Sequence, residues 1–353
     1  MNQMTLKNII LSISCLSLTF GFQSFARAEK GCIALYQNNK PVVVEVELPH
    51  FTNGIFTTSQ FSFKNLPNNM VVDGKGRYCY DVTDDRFAFV QTYYYAVTAI
   101  EDYNNIFSKL RLPLPEKLVW TLTKDVESPT TGYTGATSGA ISYPTPAMID
   151  NTSLSHEIGH WVSAAVLKDD DLRKNNFRES NSLLAKQDNR YASVTVAEGS
   201  ADILSALHTG VTEIGKYDCY ENTDDLDEFV RYPDLLPTLR TGMLKVLSST
   251  RFSATYPKYV EAIQDVLKTN PPSLDLPFYY FVSHLANQPL WQAAMKFGVE
   301  NVKLVYIKTL STFDTSKPYT YSDFVKAITQ NAREFNPEMG DFLEAEYEKR
   351  GIQ

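Results

Sequence analysis

Asn151-Thr152-Ser153-Leu154-Ser155-His156-Glu157-Ile158-Gly159-His160-Trp161-Val162 is the stretch from which the rest of this chain is best read. Leu154, Ile158, Trp161, Val162 and Ala165 recur at helical spacing, and Asn151 to Ser153 offer an N-cap. On such a helix His156 and His160, at i and i+4, project from one face and can present two imidazole nitrogens to a single metal ion. Glu157 lies one residue along, near enough to hold a water without ligating the metal. The plain alternative is two surface histidines on an amphipathic helix. A packed helix argues against it, because buried imidazoles without a ligand need other partners. The chain has only five His.

A catalytic metal site of this kind needs a third protein ligand and an open fourth position. Ala197-Glu198-Gly199-Ser200-Ala201-Asp202 supplies a carboxylate pair one helical turn apart within a small, apolar run that extends to Leu207. Solvent exposure is a poor explanation for acids in such a run. Glu198 completes a His₂Glu set for one Zn²⁺ per chain. Asp202 is then placed to accept a hydrogen bond from the second nitrogen of a ligand His and fix its tautomer. A His₂Asp site through Asp202 is the fallback.

Upstream, Pro41 to Leu48 and Gly54 to Phe63 cluster β-formers between Asn, Gly and Pro, which reads as a small antiparallel sheet. Arg86 to Leu110 carries Phe89, Tyr93, Val97, Ile100, Ile106 and Leu110 at helical spacing and stops before Pro113, which predicts a long, mostly buried helix. Lys117 to Lys124 and Thr137 to Tyr143 read as strands, with Gly132, Gly135 and Gly139 marking bends between them. Downstream comes a polar stretch from Lys168 to Asn189, a helix near Val196 to Leu207, an acidic loop from Asp218 to Glu228, and helices to the end. The last helix has Asn336 as cap, Pro337 at its first position and Gly351 as its stop. Asp169 to Asp171 fall where a helix should stop; a solvated loop is the simpler reading and a Ca²⁺ site the other.

The 353 residues are 43% apolar and 21% charged with a formal charge of −8, so there is no basic footprint for a nucleic-acid partner. Residues 1–28 read as a signal peptide: Lys7, an apolar run from Ile9 to Phe22 too short to span a bilayer, then Ala26-Arg27-Ala28. The rival reading, acylation of Cys15, is weakened by Ser12 where an aliphatic residue is usual. Cleavage removes two basic residues and no acid, leaving −10 and no stable membrane anchor. Export, to a periplasm or beyond the cell, implies an oxidising compartment. Of Cys32, Cys79 and Cys219 one pair can form there, and Cys32 with Cys79 is preferred because both lie in the strand-rich region. His50 and His208 have no motif around them and read as structural.

Ser155 to His160 and Ala197 to Asp202 together resemble the zinc helix and the following Glu-bearing helix of the thermolysin-like zinc metallopeptidases, the gluzincins. The likeness runs over residues 85–351 with gaps. It includes the aromatic helix Phe87 to Leu110, the run His284-Leu-Ala-Asn-Gln-Pro-Leu-Trp291, and Val305-Tyr-Ile-Lys-Thr-Leu310. The resemblance implies an α+β fold. A β-rich N-terminal domain (29–167) ends in the zinc helix, a mostly helical C-terminal domain (168–353) follows, and the active site lies in the cleft between them. It further implies Glu157 as general base, His284 as transition-state stabiliser, Arg231 as a contact to the substrate carbonyl and Tyr191 as an active-site tyrosine. His284 as a core residue and Arg231 as a surface charge are the plainer readings. The gap between His160 and Glu198 is long for the family. Ala197 stands where the family has Asn, and the expected edge strand around Ala136 to Tyr143 lacks the family's Asn. The function expected is an exported zinc peptidase acting on peptide or protein substrates. Against it stand an extracellular binding or adhesion module on the same scaffold and a zinc hydrolase of non-peptide bonds. Oligomeric state has no signature in the sequence.

Overall fold

A computed structural model describes residues 29–37, 40–51, 54–126, 131–149, 151–167, 190–211, 287–315, 319, 321–349 and 352. The signal-like segment, Asp169 to Asp171, Cys219, the acidic loop, Arg231 and His284 lie outside these residues. Labels below number the elements among the described residues.

The described residues begin as an antiparallel pair of β1 (Lys30–Gln37) and β2 (Lys40–Glu47), with β4 (Arg77–Tyr78) added parallel to β1. A second sheet runs β3 (Phe61–Phe63), β5 (Leu118–Lys124), β7 (Ser138–Tyr143), β6 (Thr131–Thr134) in spatial order. Its first three strands are parallel and β6 is antiparallel to β7. The expected single antiparallel sheet is therefore two sheets. Only the last three residues of Gly54 to Phe63 form a strand, and they belong to the second sheet. The edge is Thr131–Thr134, where the sequence suggested a bend, while Ser138–Tyr143 is paired on both sides. Leu118, Trp120 and Leu122 on β5 and Ile141 and Tyr143 on β7 are buried, as strand alternation requires.

α1 (Asp85–Leu110) begins where the Asp84 side chain accepts a hydrogen bond from the Arg86 N–H. It ends at Arg111, whose left-handed conformation turns its N–H back onto Phe107 and Ser108. Its aromatic residues are buried around most of its circumference because sheet and helices enclose it. Among its buried residues Gln91 and Thr92 are polar. Gln91 Oε1 accepts from Ala34 N–H at 2.7 Å and its Nε2 donates to the Ile149 carbonyl, while Tyr95 OH donates to the Ala34 carbonyl at 2.6 Å. The β1 edge left open beyond β4 is thus satisfied by side chains of α1. A disulfide joins Cys32 to Cys79 across 47 residues and ties β1 to the segment after β4.

After a 3₁₀ turn at Pro146–Met148 the chain becomes helical: α2 (Asn151–Leu167), α3 (Arg190–Thr209), α4 (described over 287–297), α5 (Val299–Thr312), α6 (Tyr321–Phe335) and α7 (Pro337–Lys349). Gly298 separates α4 from α5 at φ 99°, a conformation open to glycine and strained for other residues. Asn336 caps α7 as the sequence predicts, its side chain accepting from Glu338 N–H at 3.0 Å. The molecule is α+β, and one apolar core runs from Ile33 through α1, α2, α3 and α5 to Ile352. None of the described helices is long and apolar enough to cross a membrane.

Candidate metal centre

α2 and α3 lie against each other at their narrowest residues. A Cβ on Gly159 would stand 2.7 Å from Ala201 Cα and 2.9 Å from its carbonyl oxygen, so the two backbones approach as closely as glycine permits. Gly159 falls between the two histidines of α2, and Ala201 falls between Glu198 and Asp202 of α3. The close approach therefore brings both pairs of side chains face to face.

His156 Nε2 and His160 Nε2 are 3.0 Å apart, and Glu198 Oε2 lies 3.5 Å from the first and 3.2 Å from the second. A tetrahedral ion with bonds of about 2.0–2.1 Å needs ligand atoms about 3.3 Å apart. The observed triangle meets that requirement, and the cluster can hold a metal ion. His156 Nδ1 lies 2.8 Å from Asp202 Oδ1. A carboxylate there fixes the tautomer with the proton on Nδ1 and leaves the Nε2 lone pair facing the triangle. Asp202 and His160 are 3% and 5% exposed, so this polar cluster is enclosed in apolar packing.

Burial opposes a proton on His156, but the hydrogen bonds to Asp202 and Glu198 outweigh it and hold the imidazole's pKa well above its ordinary value. Burial also favours the neutral acid at Glu198. The charge of His160 and hydrogen bonds from both histidines overcome it, keeping the carboxyl well below the usual carboxylate range. The site is electrostatically built for positive charge, from a proton or from a cation.

Glu157 packs against the sheet. It is 8% exposed, and its Oε2 is buried with no hydrogen-bond partner among the described residues. Above it lies β6. A Cβ on Gly132 would stand 2.5 Å from Glu157 Oε1 and 2.7 Å from its Cδ, so the carboxylate packs directly beneath the edge strand. A buried ionisable oxygen without a partner is costly unless something supplied at work satisfies it.

The structure thus brings together His156, His160, Glu198, Asp202 and Glu157. Tyr191 lies in the first turn of α3, and its side chain is not among those described. His208 is structural in the plain sense: its Nδ1 meets Asp102 Oδ2 at 2.7 Å, and Lys303 Nζ binds the same oxygen. His50 sits on the surface with its Nε2 against the Glu101 carboxylate. Gly132 escaped sequence reasoning because a glycine between strands reads as a bend; only its partner across 25 residues gives it a role. No protein-family model matches the chain, and no curated protein matches it.

Proposed function

We propose that this chain is an exported zinc-dependent metallopeptidase of thermolysin-like arrangement. The observation that carries the reading is the triangle of His156 Nε2, His160 Nε2 and Glu198 Oε2, with an acid one residue from the first ligand buried beside it. Two imidazoles and one carboxylate are the donor set of catalytic zinc, which keeps a fourth position open. Zinc held there supplies a polarised scissile carbonyl and a water acidic near neutral pH. Glu157 takes the proton of the attacking water and delivers it to the leaving amine. Asp202 holds His156 in the ligating tautomer.

A peptide substrate suits the neighbouring surface. β6 ends the order β3-β5-β7-β6, the position in a sheet at which an extended chain is added as a further strand. Glu157 lies beneath that strand at Gly132, where an added chain would pass the base. The succession of sheets, then α2, then the α3 ligand helix, supports the thermolysin-like arrangement. The signal-like residues 1–28 and the Cys32–Cys79 disulfide support export. His284 and Arg231 keep the roles that the resemblance implies, oxyanion stabiliser and carbonyl contact.

Purified protein reconstituted with zinc should hold about one ion per chain and cleave members of a peptide library. Glu157→Gln should retain the zinc and lose cleavage, because an amide of the same volume cannot accept the proton. Absence of bound zinc in the wild type overturns the metal centre. Near wild-type cleavage by the variant overturns the role of Glu157, and zinc without cleavage points to the binding module or a non-peptide hydrolase.

A further inference from the structure

The ligand-bearing turn of α3 is gripped on its far side by two residues that come from much later in the chain. Asn287, at the first described residue of α4 and 1% exposed, donates from Nδ2 to the carbonyl of Gly199 at 2.9 Å, the residue next to Glu198. Tyr306, on α5 and 1% exposed, has its hydroxyl 2.9 Å from Ser200 Oγ. The direction of that bond follows from proton arithmetic. Ser200 Oγ lies 2.5 Å from the Val196 carbonyl, which can only accept, so the serine proton is committed there and Tyr306 donates. Burial pushes the Tyr306 pKa up, and the nearby Asp202 carboxylate adds to it, so the phenol keeps the proton it gives.

Gly199 and Ser200 lie between the two working acids. Glu198 turns to the metal triangle and Asp202 to His156 Nδ1, and between them the Gly199 carbonyl is bonded to α4 and the Ser200 hydroxyl to α5. On the opposite side the Gly159–Ala201 contact stops the turn from moving toward α2. We infer that Asn287 and Tyr306 are positioning residues of the metal centre, setting from the C-terminal helices the place at which Glu198 and Asp202 meet the two histidines. The inference rests on the metal-centre reading above. It makes metal affinity depend on helices that contribute no ligand among the described residues.

The test is zinc affinity of the full-length protein, measured by competition with a chromophoric chelator, beside the melting temperature of each metal-free variant. Tyr306→Phe removes one hydroxyl, leaves Ser200 bonded to Val196 and keeps the ring packed. It should weaken zinc about tenfold or more, the range seen when a group behind a ligand is lost. Asn287→Ala should do the same. Ser200→Ala cuts the Tyr306 link from the other side, so the double variant with Tyr306→Phe should bind no more weakly than the weaker single one. Cobalt substituted for zinc should show its tetrahedral visible bands altered in Tyr306→Phe. A lower melting temperature with unchanged zinc affinity, or additive losses in the double variant, overturns the inference and leaves both residues as plain packing. A wild-type protein that binds no zinc overturns the metal centre itself, a result distinct from either.

Discussion

Glu157 and Gly132 show how narrow the tolerance is at a single side chain. The Glu157 carboxylate is held against a strand backbone with no room for one methyl group, since a Cβ at residue 132 would stand 2.5 to 2.8 Å from three of its atoms. Glu157 is flexible enough to yield, and Gly132 is not in a left-handed conformation, so Gly132→Ala should fold. What it should lose is rate. A base displaced by about 1 Å costs on the order of a hundredfold in turnover. Bound zinc should stay at the wild-type level, because the atoms nearest a Cβ at residue 132 all belong to Glu157 and none to the proposed ligands. Metal analysis and turnover on one preparation check this; unchanged turnover would show that the carboxylate works from another position.

The pair of helices α2 and α3 behaves as one element, and its spacing is the property that makes four side chains a site. By helix propensity alone Gly159→Ala should stabilise α2 by about 1 kcal/mol. The added Cβ meets the backbone of Ala201, however, and backbone cannot rotate aside. Overpacking of this sort costs about 1–3 kcal/mol, which exceeds the propensity gain. Gly159→Ala should therefore lower the melting temperature and weaken zinc together, as α3 moves away and carries Glu198 with it. A stabilised variant with wild-type zinc affinity would mean that the helices can slide past the methyl group without parting.

Over the whole molecule, the helical half is fastened to α1 by a buried charge cluster. Asp102 on α1 accepts from Lys303 on α5 and pairs with His208 on α3, while Lys303 is only 6% exposed. Burial raises the Asp102 carboxyl, but the His208 hydrogen bond and the Lys303 charge outweigh it and hold the pKa below its ordinary value. A depressed carboxyl stabilises the fold above its unfolded pKa of about 3.9, and that contribution disappears as pH falls through the folded value. Asp102→Asn leaves the Lys303 ammonium buried without its carboxylate. The expected loss is toward the low end of about 3–5 kcal/mol, because the Asp102 side chain is still 30% exposed. Urea midpoints across pH check the sign. The gap between wild type and Asp102→Asn should be flat above about pH 5 and shrink below pH 4; a gap that widens toward acid would contradict it.

Features that depend on neighbours along the chain were legible in the sequence. Helical spacing put His156 and His160 on one face and placed the ends of α1 within a residue, capping signals placed the start of α7, and an acid pair in an apolar run singled out Glu198 and Asp202. Which distant backbones touch was set by packing between elements far apart in the chain. Thr131–Thr134 reads as a turn because glycine weakens a strand signal, yet pairing with β7 makes it the edge. Asn287 and Tyr306 look like ordinary helix residues until α4 and α5 meet the turn that bears Glu198. Periodicity reports a local face, whereas Gly132 against Glu157 and Gly159 against Ala201 are contacts whose partners no local pattern encodes.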